Sequence, residues 1–404
     1  MIEVLGKFNS AKIFSDNVEE EAVEQVKAVC SLDFFADAKI RIMPDVHAGK
    51  GCTIGTTITI SNAVVPNLVG VDIGCGMEVV RIREKEVDFE KFDTSIRENI
   101  PFGRNVRDGR IITFEKLQDL KCFRDIKDTK RMHRALGTLG GGNHFIEIDK
   151  DDSGNLYIVI HSGSRNLGKQ VAEIYQQIAI DLDRGKGDLF DKMAEVIKTY
   201  KEQGRKSEIE GEIKRLKHEF KSQIPLYPDE LAYLSGKYFD DYVHDMKICQ
   251  EYADLNRKLM MDILLDKNGF SVEERFTTVH NYIDMETMIL RKGAVSAKKG
   301  EKFLIPMNMR DGSLVCIGKG NEDWNCSAPH GAGRLMSRTK AKANISLEEY
   351  AKAMNGIYST SVNKDTVDEA PQAYKPMDDI VKNLEPTATV ERIIKPVYNF
   401  KASE

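Results

Sequence analysis

The stretch LGTLGGGNHFIEI, residues 136–148, places glycines on both sides of a Thr-Leu step and then alternates apolar and polar residues. Glycine at this density lets a backbone bend, and approach its neighbours, in ways that a Cβ atom forbids. In an extended strand, Asn143, Phe145 and Glu147 would share one face and His144 would point to the other. The stretch therefore predicts a loop that closely approaches a partner, followed by a strand with polar chemistry on both faces.

Short apolar runs cut by glycine surround this stretch. They are TIGTTITI, AVVPNLVGVDIG, MEVVRI, HFIEI and LYIVI, all within the first 180 residues. Such runs favour sheets with irregular connections. Helical periodicity replaces them between about residues 167 and 265, and β-like segments return after 276. We therefore expect a single α+β domain over residues 1–404, with mixed β-sheets around a central cleft and an inserted helical hairpin within 167–265.

The overall composition is that of a globular protein, with 404 residues, 41% hydrophobic and 30% charged, and a net charge of −5. No apolar run reaches the roughly 18 residues that a membrane helix needs, and the N-terminus lacks the pattern of an export signal. The cysteines are odd in number (7), scattered and without a CxxC pair, which favours free thiols in a reducing compartment. We expect a cytoplasmic protein. The acidic balance does not exclude nucleic-acid binding, because a local basic cleft is sufficient.

A turn within VGVDIGCGMEVV places Asp72 and Cys75 three residues apart between glycines. A carboxylate and a thiolate at this spacing can reach one metal ion, a thiolate can bridge two, and imidazoles from strand ends could complete a mixed site. Histidines in glycine-rich or strand-end settings are His144, His161, His280 and His330. Each residue also has a common structural role, as a small buried thiol or a hydrogen-bonded imidazole, so spacing alone leaves both interpretations open.

Two further segments concentrate polar groups. HSGSRNLGK follows the strand-like LYIVI and carries Arg165 at a predicted helix start, which suits a phosphate group or simply a helix cap. In PHGAGRLMSR, Arg334 and Arg338 follow His330 at four-residue spacing, which would place them on one face of a helix. A histidine beside arginines can act as a base, a ligand or a nucleophile toward a phosphate.

The strand after the glycines could also bind a nucleobase. A base could stack on Phe145 and donate N–H groups to Glu147, although core packing is the common role of such a phenylalanine. His47, in the segment MPDVHAGKG, is expected to be structural.

The ordered motifs of this chain resemble those of the RtcB RNA ligase family. MPDVHAGKG, VGVDIGCGM, LGTLGGGNHFIEI, HSGSRNLGK, HNYI, RKGAVSA and HGAGRLMSR follow one another in that family's order and spacing, and AYK and KPVYNFKA resemble its C-terminal tail. The resemblance covers residues 5 to 401. Separated motifs in a fixed order are more specific than one glycine-rich loop. The resemblance implies an RtcB-like fold, in what looks like a divergent bacterial-type branch.

The resemblance also implies an activity. RtcB-like ligases use GTP and two Mn²⁺ ions to join RNA 2′,3′-cyclic phosphate or 3′-phosphate ends to 5′-hydroxyl ends, in tRNA splicing or RNA repair. The reaction passes through a guanylylated histidine and an RNA-(3′)pp(5′)G intermediate. By motif, the metal ligands are Asp72, Cys75, His144, His161 and His280. The implied catalytic residues are His330 as nucleophile, Asp45, Lys292, Arg165, Arg334 and Arg338. The implied nucleotide-binding residues are Asn143, Phe145, Glu147, Asn308, Arg310, Tyr374 and Lys401.

One segment departs from the family pattern. Where the family has Pro-Gly-Ser-Met-Gly-Thr, this chain reads PMNMRD at residues 306–311. The change implies altered GTP affinity or base selectivity, with Arg310 as an added phosphate contact. Two alternatives therefore stay open beside the ligase: a metal-dependent RNA-end phosphoesterase or nucleotidyl transferase that no longer seals, and a non-catalytic RNA-binding protein. The expected partners are tRNA or rRNA fragments and an archease-like activator, and the expected assembly is a monomer or weak oligomer.

Overall fold

A computed structural model describes residues 1–402 and combines helices with parallel and antiparallel strand pairs, which confirms the expected α+β class. The strands are β1 (Ile2–Leu5), β2 (Ser10–Ile13), β3 (Ile40–His47), β4 (Ile54–Thr59), β5 (Ala63–Val64), β6 (Gly76–Ile82), β7 (Phe145–Lys150), β8 (Leu156–Ser162), β9 (Leu234–Ser235), β10 (Val272–Val279), β11 (Asn281–Asp284), β12 (Ile289–Lys292), β13 (Ala294–Ser296), β14 (Lys302–Asn308), β15 (Gly312–Gly318), β16 (Ser327–Pro329) and β17 (Ala388–Lys401). The helices are α1 (Glu20–Cys30), α2 (Phe89–Asn99), α3 (Thr129–Arg134), α4 (Arg165–Asp183), α5 (Gly187–Glu202), α6 (Ile209–Glu219), α7 (Gly236–Asn268), α8 (Arg338–Asn344), α9 (Leu347–Ala353) and α10 (Met377–Leu384).

Two large sheets organise the molecule. One has six strands in the order β1-β2-β3-β4-β12-β11, and the other has seven in the order β10-β6-β8-β7-β17-β15-β14. Strands β7 and β8 lie in the interior of the larger sheet and are covered on both faces. Ile146 and Ile158 pack into a cluster that includes α7, whereas Phe145 and Val159 pack into a second cluster on the other face. This double burial explains why LYIVI is a continuous apolar run.

The run AVVPNLVGVDIG does not form the strand that its apolar residues suggest. Only β5 is extended, and a short 3-10 turn follows at Pro66–Leu68. Pro66 fixes its own φ and lacks an N–H for a sheet ladder, so the chain turns there and continues irregularly toward Asp72.

The helical region contains two kinds of helix. Helices α5 and α6 are adjacent in sequence, and Leu189 is the one residue along them that is buried. Helices α4 and α7 instead belong to the core: Met246 and Tyr252 of α7 pack into the largest apolar cluster, and Met260 packs into the cluster under β7 and β8. Helix α7 ends where Gly269 adopts a φ of 68°, a common helix stop. Within residues 1–402, no helix is both long and apolar enough to cross a bilayer.

Candidate active site

Four strand ends carry histidine or cysteine side chains to one edge of the larger sheet. Cys75 directly precedes β6, His144 directly precedes β7, His161 is the penultimate residue of β8, and His280 directly follows β10. The strands are neighbours in the order β10-β6-β8-β7 and each pair is antiparallel. Alternating strand direction therefore brings these ends together, which explains how residues so far apart in sequence converge.

The converging side chains form two overlapping groups that share Cys75. Its Sγ atom lies 3.3 Å from Nε2 of His161 and 3.5 Å from Nε2 of His144, and the latter nitrogen lies 3.0 Å from Oδ2 of Asp72. Cys75, His161 and His280 form one group, and Asp72, Cys75 and His144 form the other, with potential ligand atoms within 4.8 Å of one another. Each group combines donor types that metal ions accept, and the shared sulfur could contact an ion in either group.

Several features of these side chains fit a metal centre. Nδ1 of His280 is buried and has no hydrogen-bond partner within the described chain, as expected of a nitrogen that coordinates a metal ion. Nδ1 of His144 lies 2.9 Å from the carbonyl oxygen of Leu139, and Nδ1 of His161 lies 3.2 Å from that of Asn143. A carbonyl accepts only from a protonated nitrogen, so these contacts leave both Nε2 lone pairs directed at the centre.

Electrostatics support the same interpretation. Burial lowers the pKa of His161 and of His280 well below the usual value, so both imidazoles are neutral, which is the metal-binding form. Burial opposes ionisation of Asp72, but its hydrogen-bonding and charged neighbours outweigh burial and hold the pKa of that carboxyl at about 2. Burial and the neighbouring Asp72 raise the pKa of the Cys75 thiol, so an anionic sulfur there needs a compensating cation.

Two motif glycines are required by close contacts. A Cβ atom on Gly163 would lie 2.2 Å from Oδ1 of Asp72, and one on Gly140, at a φ of 89°, would lie 1.7 Å from Nη1 of Arg165. The glycine-rich loop thus rests directly on the Arg165 guanidinium, which donates to Oγ1 of Thr138 at 3.2 Å. Arg165 supports this loop from behind and does not line the cavity in front of it.

His330 lies beside the cysteine and histidine cluster. Its ring centroid is 4.9 Å from that of His280, and its Nδ1 lies 2.6 Å from Oδ2 of Asp45. Asp45 is fully buried, and the same oxygen accepts from the backbone N–H groups of His330 and Gly331 at 3.1 and 3.3 Å. A carboxylate that holds Nδ1 leaves Nε2 of His330 with an available lone pair, which is the requirement for a nucleophile or a base.

One cavity of about 410 Å³ connects these groups. The predicted site residues that line it are Asp72, Cys75, Asn143, Phe145, Glu147, His161, His280, Lys292, Asn308, His330, Arg334, Arg338, Tyr374 and Lys401. Asp45, His144 and Arg165 lie directly behind this wall. Arg310 lies away from it, since its guanidinium is exposed and pairs with Asp311 at 2.7 Å.

The end of the cavity near β7 combines an aromatic ring, a carboxyl group and a cation. Nζ of Lys401 lies 5.7 Å from the Phe145 ring centroid, and Nδ2 of Asn399 donates to Oε1 of Glu147 at 2.5 Å. Burial raises the pKa of Glu147 to about 7, with opposing effects from Lys401 and Asn399. Asp149, next on the same strand face, has its pKa raised further by burial and by the charge of Glu147. A flat, hydrogen-bonding ligand such as a nucleobase suits this end.

A second region of the wall is cationic. Arg334 and Arg338 do not share a helical face as their spacing suggested, because α8 begins only at Arg338 and Arg334 forms a β-bridge with Tyr374. Gly333 adopts a φ of 74°, which a right-handed helix does not allow, so the chain is not helical directly before that bridge. Both guanidinium groups still reach the cavity. Tertiary contacts, rather than helical periodicity, bring them together.

Glu369 organises this cationic region and was not among the predicted residues. It is buried, and it accepts from Arg334 at 3.3 Å, from Lys401 at 2.6 Å and from the Tyr374 hydroxyl at 2.6 Å. Burial opposes ionisation of Glu369, but the charges of Lys401, Arg338 and Arg334 hold its pKa at about 2. The one sequence signal was indirect: Glu369 lies shortly before the AYK segment, and several predicted cations needed a counter-charge.

The chain is similar to known proteins over most of its length. The family model described as tRNA-splicing ligase RtcB matches residues 25–125 and 116–402. The chain is 32% identical to the RNA-splicing ligase RtcB of Escherichia coli K12 over 90% of each chain, and 32% identical to the RNA-splicing ligase RtcB1 of a second Escherichia coli strain over the same shares. It is 27% identical to the tRNA-splicing ligase RtcB of Aeropyrum pernix, over 84% of this chain and 83% of that one.

The chain belongs to the RtcB family. Its divergent segment at 306–311 has a structural explanation that the sequence did not show. Met307 packs into the apolar cluster around β14 and β15, and the sulfur of Met309 accepts from the Tyr350 hydroxyl at 3.2 Å. Oδ1 of Asn308 accepts from the N–H groups of Arg310 and Asp311. The larger residues of this RtcB chain thus fill core space and close a tight turn, and the Arg310 guanidinium pairs with Asp311 outside the cavity.

Lys292 and His47 also border the cavity of this RtcB chain. Nζ of Lys292 donates to the carbonyl oxygens of Lys50 at 2.5 Å and Cys52 at 3.0 Å, and burial lowers its pKa to about 8. His47 was expected to be structural. Its Nδ1 lies 2.9 Å from the Asp45 carbonyl oxygen, and its ring lines the wall beside His330.

Proposed function

We propose that this protein is a GTP-dependent and Mn²⁺-dependent RNA ligase that joins 2′,3′-cyclic phosphate or 3′-phosphate ends to 5′-hydroxyl ends. One observation carries the proposal: His330, held through Nδ1 by a buried carboxylate, lies 4.9 Å ring to ring from a histidine of a two-metal ligand set, inside one cavity. The names of the relatives agree, since they are RNA-splicing and tRNA-splicing ligases.

A 2′,3′-cyclic phosphate end must first be opened: water attacks its phosphorus, the bond to the 2′-oxygen breaks and that oxygen takes up a proton, which leaves a 3′-phosphate. Guanylyl transfer then begins with Nε2 of His330. It attacks the α-phosphorus of GTP, an N–P bond forms, and the bond to the pyrophosphate oxygen breaks. An oxygen of the RNA 3′-phosphate then attacks the same phosphorus and displaces the histidine, which yields RNA-(3′)pp(5′)G. Finally the 5′-hydroxyl oxygen attacks the 3′-phosphorus, loses its proton and displaces GMP. A histidine carrier suits this sequence because imidazole is both a good nucleophile and a good leaving group.

The residues of the chain have distinct roles in this scheme. Asp45 orients His330 and stabilises positive charge on its ring. Phe145 stacks on guanine, and Glu147 accepts its N–H groups. The nucleotide contacts also include Asn143, Asn308, Tyr374 and Lys401. Phosphate contacts come from Lys292, Arg334 and Arg338, with Arg165 supporting the loop that approaches them.

The metal ligands of the proposal are Asp72, Cys75, His144, His161 and His280. Two divalent ions held there would neutralise attacking and leaving oxygens during phosphoryl transfer. Carboxylate and imidazole donors suit Mn²⁺, whereas the thiolate would also accept Zn²⁺, so metal supply and geometry select the ion.

Incubation with α-labelled GTP and Mn²⁺ tests the nucleophile. A covalent adduct labile to acid is expected in the wild type, absent from His330→Ala and retained in His218→Ala, whose imidazole lies on the exposed helix α6. Ligation of a cyclic-phosphate end to a 5′-hydroxyl end then tests sealing. An adduct without sealing would identify a nucleotidyl transferase, and the absence of any adduct in the wild type would refute the proposed chemistry.

A further inference from the structure

Two adjacent residues of helix α7 contact the segments that carry the metal ligands. Asn256 and Arg257 are both fully buried, and their polar atoms point away from the apolar clusters that surround most of the helix. A buried amide beside a buried guanidinium is costly unless each finds partners. Their partners are backbone and hydroxyl groups of three different loops or strand ends.

Asn256 joins the glycine-rich loop to the end of β8. Its Oδ1 accepts from the N–H of Thr138 at 3.1 Å, and its Nδ2 lies 3.1 Å from Oγ of Ser162 and 3.2 Å from the carbonyl oxygen of Gly163. The Ser162 hydroxyl donates in turn to the carbonyl oxygen of Leu139 at 2.8 Å. That same carbonyl holds Nδ1 of His144, so Asn256 is linked to this ligand through Ser162 and Leu139.

Arg257 joins the loop before β6 to the end of β8. Its Nη1 donates to the carbonyl oxygen of Gly74 at 2.8 Å and to that of Ser162 at 3.0 Å. Gly74 directly precedes Cys75, and Ser162 directly follows His161. One guanidinium nitrogen therefore sets the separation between the backbones of two ligands.

Arg257 makes no hydrogen-bonded ion pair with a carboxylate of the described chain. Its Nε and Nη2 atoms have no hydrogen-bond partner in the described chain, and its nearest carboxylate oxygen, on Asp254, is 3.7 Å away on a half-exposed side chain. A neutral donor could hold the same two carbonyls without burying a charge. At longer range the guanidinium faces the buried Glu78 and the carboxylate of Asp72, which belongs to one of the two ligand groups.

We propose that Asn256 and Arg257 form a positioning bracket that pre-assembles the metal ligands and supplies a buried counter-charge to them. The inference rests on the proposed metal site. Residues that orient metal ligands from behind contribute about 10-fold to 100-fold in metal affinity in other proteins. The bracket assigns a role in the site to helix α7, whose sequence indicated a long packed helix but no site residue.

Co²⁺ binding tests the bracket, because a cobalt-thiolate bond gives a near-ultraviolet charge-transfer band. Titration of the full-length protein with Co²⁺ alone measures affinity and geometry without any turnover. Arg257→Met and Asn256→Asp are each expected to weaken Co²⁺ binding about 10-fold to 100-fold and to shift the band. Arg257→Lys, which keeps the charge and a donor, is expected to recover most of the affinity.

Asp245→Asn is the matched control. Asp245 is also fully buried on α7, and it accepts from the N–H groups of Lys121 and Cys122 and from the Tyr175 hydroxyl, none of which adjoins a metal ligand. Its variant should lose thermal stability but keep the wild-type cobalt spectrum. Wild-type Co²⁺ affinity in Arg257→Met or Asn256→Asp would overturn the bracket. An equal loss of Co²⁺ affinity in Asp245→Asn would also overturn it. Should Arg257→Met fail to fold, Asn256→Asp decides the question.

A further variant separates this inference from the function on which it rests. Cys75→Ser removes the proposed thiolate ligand. A charge-transfer band that survives unchanged in Cys75→Ser refutes the metal site itself, whereas loss of the band there together with wild-type binding in both bracket variants refutes only the bracket.

Discussion

Oδ2 of Asp45 lies 2.6 Å from Nδ1 of His330, although 285 positions separate the two residues in sequence. The contact joins the end of β3 to the segment after β16 and determines which imidazole nitrogen faces the cavity. Lys375 stabilises the part of β3 that carries Asp45. Its Nζ donates to the carbonyl oxygens of Pro44 and Val46 at 3.3 and 2.8 Å. The pair is therefore positioned before any ligand arrives.

The Asp45→Asn variant should slow guanylylation of His330 by at least about 10²-fold, because a neutral amide stabilises an imidazolium ring poorly and leaves its tautomer less defined. The measurement is the single-turnover rate of adduct formation with labelled GTP. Cobalt binding should stay at the wild-type level, since Asp45 contacts none of the metal ligands. An unchanged rate would remove Asp45 from the mechanism.

Metal binding should stabilise the wild-type fold and fail to stabilise Cys75→Ser. At a Mn²⁺ concentration of 100 times the dissociation constant, binding adds about 2.7 kcal/mol per site, which raises the melting temperature by a few degrees. Cys249→Ser is the matched control, because Cys249 is also a buried free thiol but lies in the apolar core. Its melting temperature should still respond to Mn²⁺. An equal Mn²⁺ response in the two serine variants would contradict the shared-thiolate site.

The affinity for GTP should rise with pH through about 7. The pKa of Glu147 is raised to about 7 by burial, so below this pH the side chain is a protonated carboxyl that accepts hydrogen bonds from guanine poorly. Above it the carboxylate accepts both N–H groups. Equilibrium binding of labelled GTP between pH 5.5 and 8.5, about 1.5 units to either side of that value, measures the effect. The affinity of the Glu147→Gln variant for GTP should be lower than that of wild type and should not change with pH in this range. A wild-type profile without an inflection would reject the assigned contact.

The variant Glu369→Gln should lower the free energy of unfolding at neutral pH by about 3 kcal/mol. The folded-state pKa of Glu369 is held at about 2, below the usual value of about 4.5, so its contribution is present at neutral pH and is lost as pH falls from about 4.5 toward 2. Denaturant melts at pH 7 and pH 3 measure this, and the difference between variant and wild type should shrink at the lower pH.

The control for that variant is Glu348→Gln, an exposed residue of α9, which should change stability by less than about 0.5 kcal/mol. If Glu369→Gln were as stable as wild type at pH 7, the stability of the cationic region would not depend on the Glu369 carboxylate.

Arg310→Ala should leave GTP affinity within about threefold of wild type, because this guanidinium does not line the cavity. Its guanidinium pairs with Asp311 outside the cavity. Arg334→Ala, which removes a cation from the cavity wall, provides the comparison and should weaken GTP binding at least 10-fold. A comparable loss in Arg310→Ala would mean that the 306–311 segment moves onto the nucleotide.

Local sequence patterns predicted much of the fold. Short apolar runs bounded by turn residues identified β4, β6, β7 and β8, and helical periodicity identified α4 to α7, because these patterns follow directly from backbone geometry. The pattern failed where one residue overrode it. Pro66 ended an apolar run as a 3-10 turn, and Gly333 kept Arg334 and Arg338 from sharing a helix. Apolar residues at helical spacing did set the core helix α7 apart from α5 and α6, along which charges alternate.

For the site, the sequence by itself determined which residue types were present: the spacing of Asp72 and Cys75, the histidines at strand ends and the ordered motifs that place the chain in its family. Only the tertiary structure decided how they meet. The antiparallel order of β10, β6, β8 and β7 brought the ligands to one edge, and packing of distant segments paired Asp45 with His330. It also revealed Glu369, Asn256 and Arg257, because a buried charge or amide is recognised by the partners that satisfy it, and those partners are remote in sequence.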